Sequence, residues 1–200
     1  FKQKTAYEIS TRDWSSDVCS SDLRSDVISS AKILGNKIGL ISDGIKDLRQ
    51  AAEDGLSDAV SVANTALADL AKINAKFGAQ QPDPSLLDQR DRAIRSLSEV
   101  MDIKVTEVGN GRVSISTGSG FTLLENEQIA KFSFDAKANI GPGDVYNPDP
   151  AKRGVETITL TDPSGQVVDM IAAKGIRGGE IAGLIEIRDK ILIEAQAQID

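Results

Sequence analysis

The sequence contains no histidine, a single cysteine and few aromatic residues. The absence of histidine excludes imidazole metal ligands and every catalytic triad that depends on histidine, and one cysteine cannot form a thiolate cluster. Aromatic residues make up 4% of the chain, so a core must consist mainly of Ile, Leu, Val and Ala. No apolar run reaches the roughly eighteen residues of a membrane span, so none is predicted.

Basic residues are fewer than acidic residues, which bears on possible partners. The 23 Lys and Arg face 30 Asp and Glu, for a formal net charge of -7. A nucleic-acid surface needs a basic stripe to neutralise phosphate groups, so no nucleic-acid partner is predicted. The first residues also lack the charged and then apolar layout of a secretory signal peptide.

Motifs for nucleotide, metal or acid–base chemistry are also missing. Two glycine-rich turns match neither the Walker pattern nor the dinucleotide fingerprint: Gly118–Gly120 and Gly175–Gly179. Acidic pairs at helical spacing lie beside arginines and are expected to be solvated or ion-paired rather than catalytic: Asp88 with Asp91, and Glu186 with Asp189. The sequence therefore predicts no catalytic residue, cofactor or metal site, and the protein is not expected to be an enzyme.

Residues 1–23 have no consistent period and differ in composition from the rest of the chain. They contain the only tryptophan, Trp14, and the only cysteine, Cys19. The run from Lys2 to Glu8 and the run from Asp13 to Leu23 resemble the in-frame translation of a DNA-sequencing adapter. We interpret residues 1–23 as a non-native segment without regular structure, to be set aside in reasoning about the fold.

The longest pattern in the chain is a heptad repeat of apolar or small residues between Val27 and Phe77. Its steps alternate between four and three residues, with one extra step of four across Gly55. This spacing predicts a helix of roughly 75 Å, at about 1.5 Å per residue, with bends or breaks at its glycines. Its predicted apolar seam includes Leu34, Ile38, Ile41, Ile45, Leu48, Leu70, Ile73 and Phe77.

This helix requires a partner, because the residues between the seam positions are polar and face solvent. We expect the seam to be covered by another helix, as in the coiled-coil arm of an elongated assembly. The alternative is one long helix within an ordinary helical bundle.

A second helix and a β region follow. Asp83 and Pro84 are typical of the N-cap and first position of a helix, which is predicted to continue to Met101. The period then changes to two, which predicts four short strands in a small antiparallel sheet, with a hairpin turn at Gly109–Gly111 that can supply positive φ. An irregular loop is predicted over residues 138–154, followed by two strands that form a further hairpin. The predicted strands are Ile103–Val108, Val113–Ser116, Phe121–Leu124, Ile129–Phe134, Val155–Thr161 and Val167–Ala172.

Helical spacing returns after Gly179 and continues to the last residue, without a capping signal. We therefore expect a fragment of a longer protein, with an α+β fold. The predicted organisation is a helical part over residues 24–101, an inserted β domain over 102–176, and a returning helix over 177–200 that packs on the helical part.

The two helical parts contain related segments. Leu86–Ile94 aligns without a gap with Leu184–Leu192, and both segments contain an Arg-Asp dipeptide at the same offset. We interpret the arginines as partners of carboxylates where the β domain joins the helices; the alternative is a recognition surface for a neighbouring subunit. The predicted joint comprises Leu87, Arg90, Asp91, Ile94, Leu97, Leu184, Arg188, Asp189 and Ile191.

These segments resemble the flagellar hook-associated protein 1 (FlgK) family. The matching motifs are Leu86-Leu-Asp-Gln-Arg-Asp91 followed by Leu97-Ser98, and Gly178-Gly-Glu-Ile-Ala-Gly-Leu-Ile-Glu-Ile-Arg-Asp189. The resemblance covers Arg24 to Asp200, which corresponds to the middle of a longer protein. It implies a rod-like helical domain with an inserted β domain, in a structural subunit at the hook–filament junction of the bacterial flagellum.

The same resemblance implies partners and a location. The implied partners are other axial proteins (the hook protein and the second junction protein), copies of the chain itself, and the flagellar export apparatus. Export without a cleaved signal peptide to an extracellular position is implied as well. Two alternatives stay open: another axial protein such as flagellin, and a ligand-binding or adhesive domain of a bacterial surface protein, which predicts a concave pocket in the β region.

Overall fold

The computed structural model describes the backbone of residues 6–79 and 83–199, and the side chains of residues 21–78 and 83–199. The chain divides into two compact units, with the division between Gly44 and Ile45. The first unit contains the early part of the long helix, and the second contains the remaining helices and all described strands. The observed fold is α+β, as predicted.

The first helix, α1, spans Ala6–Ala79, and the second helix, α2, spans Pro84–Val100. Asp83 caps α2 as predicted, because its carboxylate accepts a hydrogen bond from the Ser85 backbone N–H at 2.7 Å and Pro84 occupies the first turn. The Asp83 side chain thus satisfies one of the N–H groups that have no partner within the helix.

The strands form two antiparallel sheets. One sheet has the order β1-β2-β3-β4, and the other has the order β5-β6-β7. The tight turn between β1 and β2 uses positive φ at Gly109, Asn110 and Gly111, as the sequence pattern indicated. The strands are β1 (Ile103–Gly109), β2 (Arg112–Thr117), β3 (Thr122–Glu125), β4 (Gln128–Ile129), β5 (Lys131–Ser133), β6 (Thr159–Thr161) and β7 (Val167–Asp169).

The predicted strand Ile129–Phe134 is divided between the two sheets. Its first residues pair with β3 and its later residues pair with β6, and Ala130 lies between them. Strands that change sheets at a bend of this kind form the corner between two packed sheets. The loop over residues 138–154 is largely irregular, as expected, with one 3₁₀ turn at Pro150–Lys152.

The returning helix has three parts: α3 (Gly179–Glu186), a π-helical turn (Ile187–Ile191) and α4 (Leu192–Ala197). The sequence predicted a uniform α-helix here. The π turn adds one residue to the helix, so residues after Arg188 are displaced from the positions that α-helical spacing assigns to them.

The helices and both sheets of the second unit share one hydrophobic core. Residue 102, the predicted domain boundary, therefore does not separate two compact units. A smaller cluster contains Ile73, Phe77 and Leu86, with Leu87 packed against it. The large buried side chains of the main core include Leu56, Leu67 and Leu70 of α1, Leu97 of α2, and Ile115, Leu123, Leu124 and Phe132 of the sheets.

In the second unit, the seam of α1 differs from the predicted seam at one position. Leu48 is 59% exposed, whereas Arg49 and Ile45 are buried, so the prediction for Leu48 is wrong. Arg49 takes the inward position because its guanidinium finds backbone carbonyl partners there. With Arg49 in the seam, the extra step of four moves from Gly55 to the step between Ile45 and Arg49. From there the buried seam positions follow regular heptad spacing: Ile45, Arg49, Ala52, Leu56, Ala59, Ala63, Ala66, Leu70, Ile73 and Phe77.

The glycines do not break α1, contrary to the expectation of breaks at these residues, whereas the expectation of bends stays a prediction. Gly55 lies where the side chain of Leu184 approaches the helix, and a Cβ at this position would stand 3.2 Å from Leu184 Cδ1. Gly55 thus permits close packing of α3 against α1.

The first unit has an apolar surface that its own described residues leave exposed. Leu34 is 59% exposed and Ile41 is 51% exposed, and Ile38 is also exposed.

The irregular structure predicted for residues 1–23 is wrong from Ala6 onward, where the backbone is helical. This segment contains neither glycine nor proline, so helix propagation meets no interruption; residues 1–5 lie outside the described part of the chain.

Candidate functional site

A buried cluster of charges joins α1 to the returning helix. Arg188 has no solvent exposure, and its Nη1 donates a hydrogen bond to Glu53 Oε2 of α1 at 2.6 Å. Its Nε and Nη2 bind both carboxylate oxygens of Asp189, at 2.7 and 2.8 Å. This bidentate geometry satisfies a guanidinium that has been removed from water.

Arg49, one turn before Glu53 on α1, connects the cluster to the irregular loop. Its Nη1 donates to the Gly141 carbonyl at 2.9 Å, its Nη2 donates to the Asp144 carbonyl, and its Nε lies 3.4 Å from the Arg188 carbonyl. The planar guanidinium can reach carbonyls from two segments at once because its donors diverge in a fixed fork.

The other oxygen of Glu53 holds the same loop. Glu53 Oε1 accepts a hydrogen bond from the Lys137 backbone N–H at 2.9 Å. The Lys137 Nζ lies 2.8 Å from Asp144 Oδ2, and the Gly141 backbone N–H donates to that oxygen at 2.7 Å. These bonds close the loop over Arg49.

The pKa values of this cluster follow from burial and from the partners. Burial favours a lower pKa for Arg188, but the hydrogen bonds and charges of Asp189 and Glu53 outweigh burial and raise its pKa. Burial lowers the pKa of Arg49, against the attraction of Asp189 and Asp144. The hydrogen bonds from Lys137 and from the Gly141 N–H lower the pKa of Asp144.

Arg90, the equivalent of Arg188 in the related segment, forms a weaker version of the same arrangement. Its Nε donates to Asp91 Oδ1 at 2.9 Å, and its Nη1 donates to the Gly111 carbonyl in the turn between β1 and β2 at 3.0 Å. The Asp91 side chain is 58% exposed. Arg90 therefore joins α2 to a hairpin, whereas Arg188 joins the returning helix to α1, and the two arginines share no partner among these hydrogen bonds of the described residues.

The apolar residues of the predicted joint divide among three environments. Leu97 is buried in the main core, with Ile94 and Leu184 packed against it, whereas Leu87 belongs to the smaller cluster. Ile191 is 49% exposed, so its assignment to the joint is wrong. The π turn moves Ile191 out of the buried face and leaves Leu192 inside.

Three primary amides of α1 hold the β region, a role that the helical spacing of the sequence does not predict. The Asn74 side chain accepts a hydrogen bond from the Val113 backbone N–H at 3.0 Å and donates one to the Val113 carbonyl at 2.8 Å. Asn64 forms the same pair of bonds with Phe132, and Gln50 bonds the Ile140 N–H and the Lys137 carbonyl. An amide offers one donor side and one acceptor side, so it can pair with a peptide group as a neighbouring strand does.

The sequence alone does not distinguish these three amides from polar residues that face solvent. Asn74 lies directly after a seam position, and in a helical pattern a polar residue there is expected to face solvent. The strand residue that it pairs with, Val113, is distant in sequence, so only the packed structure brings the partners together.

Asp169 holds the end of β7 and the following turn. Its carboxylate accepts hydrogen bonds from the Thr157 hydroxyl at 2.6 Å, from the Arg153 guanidinium at 2.9 Å and from the Ala172 backbone N–H at 2.9 Å. Burial favours a higher pKa for Asp169, but these bonds and the charge of Arg153 outweigh burial and lower its pKa.

The β region also contains a cleft, which the ligand-binding alternative predicted. The cleft has a volume of about 500 Å³ and is lined by apolar side chains of Phe121, Leu160 and Val168 and by polar residues such as Glu125 and Gln166. The thermal stabilisation by a small ligand that this alternative also predicts stays a prediction. Within the described residues, no group of three or more Cys, Asp or Glu side chains could hold a metal ion.

Taken together, the fold and these contacts define a class of α+β protein in which polar side chains fasten one long helix to two small sheets. In the described part of the chain, no helix is both long and apolar enough to cross a bilayer.

Comparisons with known proteins place the chain within a family. Residues 5–200 match the model of the flagellar hook-associated protein FlgK helical domain, so the chain belongs to this family. A comparison with curated proteins gives no match.

A solved structure supports this assignment. The structure of the flagellar hook junction protein FlgK from Burkholderia pseudomallei is 25% identical in sequence, with a TM-score of 0.68. The match covers 86% of this chain and 29% of that chain, so this chain spans less than a third of the length of its structural relative. The interpretation of residues 1–23 as a translated adapter stays a prediction.

Proposed function

We propose that this chain is part of a structural subunit at the hook–filament junction of the bacterial flagellum. The family assignment over residues 5–200 supports this proposal, as does the likeness to a flagellar hook junction protein. The charged cluster and the amides of α1 serve to hold the β region on the helix under load, rather than to carry out a reaction.

The subunit assembles through faces of its helices. Its partners are the hook protein, the second junction protein and further copies of the same protein. It reaches this extracellular position through the flagellar export apparatus, without a cleaved signal peptide.

One observation carries the assembly proposal: the apolar face of α1 in the first unit is open to solvent. Leu34, Ile38 and Ile41 recur at the spacing of a helix–helix seam, and each of them is exposed. A contiguous apolar face of this kind is typical of an interaction surface.

The test measures binding of the purified chain to isolated hook structures by co-sedimentation and by immunogold electron microscopy. We expect the chain to sediment with hooks and the gold label to lie at their ends. A variant that combines Leu34→Asp, Ile38→Asp and Ile41→Asp should lose this binding, because charges cannot be buried in an apolar seam without a large cost.

The matched control changes the net charge equally on polar positions of the same helix. Ser25→Asp, Ser29→Asp and Asn36→Asp alter exposed residues on the side of the helix opposite to Leu34 and should preserve binding. Equal binding of both variants would contradict assembly through this face, and labelling distributed along the whole hook would contradict a position at the junction.

A further inference from the structure

The π turn Ile187–Ile191 interrupts a helix whose sequence has ordinary α-helical spacing. At about 100° per residue, a straight α-helix would place Ile191 about 80° from Ile181, on the same side as Leu184 at about 60°. That position is at the flank of the buried face. In the structure Ile191 is instead 49% exposed, while Leu192 is 8% exposed.

One long-range contact lies at the π turn. The Leu192 N–H donates to the Ile187 carbonyl, five residues earlier, rather than to the Arg188 carbonyl as in an α-helix. The Arg188 carbonyl faces the Nε of Arg49 at 3.4 Å. Arg49 is held in place by its bonds to the carbonyls of Gly141 and Asp144.

We propose that the segment from α3 to α4 has two registers, and that Arg49 selects the register with the π turn. In the second register the Leu192 N–H donates to the Arg188 carbonyl, and the segment is α-helical throughout. When the π turn becomes an α-helical turn, the residues after it rotate by about 100° about the helix axis, so Ile191 moves to the flank of the buried face.

Both registers preserve the contacts on which the joint depends. The side chain of Arg188 precedes the rotation and keeps its buried partner Glu53 of α1. Leu192 stays on the buried side in both registers, at about 20° from Ile181 in the α-helix and about 80° in the π register. The difference between the registers is therefore the side chain that α4 presents outward. This inference concerns the chain alone and does not depend on its role in the flagellum.

Thiol labelling at residue 191 reports the register. In a Cys19→Ser background, Ile191→Cys should react readily with a maleimide when Arg49 is present. Arg49→Met should slow this reaction by about tenfold or more, a factor that corresponds to about 1.4 kcal/mol. Leu192→Cys should react slowly with or without Arg49, since it stays inside in both registers.

Two control variants separate a change of register from a general loosening. Arg92→Met removes an arginine whose Nε donates only to the Asp88 carbonyl of its own helix, and should leave the labelling of residue 191 unchanged. Lys190 is exposed and lies 3.9 Å from Glu186. Its deletion lets the segment become α-helical while Ile191 and the residues after it stay on the side of the helix that they occupy with the π turn. In that deletion background, Arg49→Met should leave the thiol introduced by Ile191→Cys reactive.

The outcomes decide the proposal. Equal or faster labelling of the Ile191→Cys thiol in Arg49→Met would overturn it, and so would slow labelling that persists in the Lys190 deletion. If Arg49→Met loses its helical circular dichroism, Arg49→Lys replaces it as the test variant, because lysine keeps the positive charge but lacks the diverging donors of the guanidinium. In that variant, a scalar coupling across the hydrogen bond from the Leu192 N–H to the Arg188 carbonyl carbon is expected, and coupling only to Ile187 would overturn the proposal.

Discussion

Arg188 shows how much a single side chain contributes to this fold. It is fully buried, yet each of its terminal nitrogens finds an oxygen acceptor. Glu53 is equally buried, so the two charges depend on each other. Removing one member of such a pair is more costly than exchanging both for apolar residues, because the remaining charge has no partner and no water.

Arg188→Ala should therefore lower the free energy of unfolding by about 3–5 kcal/mol, measured by urea denaturation. Arg90→Ala is the matched control, because Arg90 occupies the equivalent position but its partner Asp91 is exposed. We expect that variant to cost about 1 kcal/mol or less. Equal losses in both variants would show that burial does not distinguish the two arginines.

Asp169 should make stability depend on pH. Its folded-state pKa is lowered, so as the pH falls the unfolded chain takes up this proton first. The stabilisation is therefore present above the unfolded pKa of about 3.9 and is lost as the pH falls through the folded pKa. Asp169→Asn should lower the free energy of unfolding by about 1–3 kcal/mol at pH 7, and this difference in stability from wild type should shrink below about pH 4.

Urea denaturation of both proteins at pH 7 and at pH 3 measures this difference. Other carboxylates with lowered pKa values, Asp144 and Asp162, are present in both proteins and cancel in the comparison. A difference that is the same at both pH values would show that the Asp169 carboxylate charge does not stabilise the fold.

The long helix α1 shares one core with other helices and with both sheets of the second unit. Its seam repeats with regular heptad spacing from Ile45 to Phe77, with Arg49 included. Beside the seam, Gln50, Asn64 and Asn74 pair with backbone groups of the β region. The helix therefore contributes both apolar packing and the hydrogen bonds that a further strand would supply.

Gly55 and Gly183 test how closely α3 packs on α1. Both lie within helices, but a Cβ at Gly55 would meet Leu184 at 3.2 Å, whereas nothing lies within 4 Å of a Cβ at Gly183. Gly183→Ala should stabilise the second unit by about 0.5–1 kcal/mol through helix propensity. Gly55→Ala should stabilise the second unit by less than Gly183→Ala, or destabilise it, since the side chain of Leu184 must move. Equal gains in thermal unfolding would contradict close packing at Gly55.

Within the second unit, the helices and sheets fold around one core. Leu97 of α2 is fully buried there among residues of α1 and both sheets. The β strands therefore do not have a core that is separate from the helices, although they lie between helices in the sequence.

Leu97→Asp should cost several kcal/mol, because it buries an unpaired charge in this shared core. Far-UV circular dichroism and the NMR signals of the strands should then be lost in one transition. Leu48→Asp is the matched control: at 59% exposure it should change the free energy of unfolding by no more than about 0.5 kcal/mol. Strands that survive Leu97→Asp would show an independent β core.

Deletion of residues 1–23 tests their interpretation as a non-native segment. We expect the free energy of unfolding of the second unit to stay the same, since its core begins at Ile45. A clear loss of stability after the deletion would show that these residues support the fold.

Patterns between near neighbours in the sequence were sufficient to predict the α+β class, the long helix, the Asp83 cap, the turn at Asn110 and most strands. These features depend on periodicity, capping and turn chemistry, which act over a few residues. The family resemblance likewise rested on short motifs around Arg90 and Arg188.

Contacts between distant segments decided the rest. Leu48 and Arg49 are adjacent, and apolar spacing favours Leu48 for the seam, but the carbonyls of Gly141 and Asp144 draw Arg49 inward. The π turn at Arg188, the exposure of Ile191 and the amide pairs of α1 depend in the same way on partners far along the chain. A hydrogen-bond partner brought close only by folding is not encoded in local spacing, so these features became visible only in the packed structure.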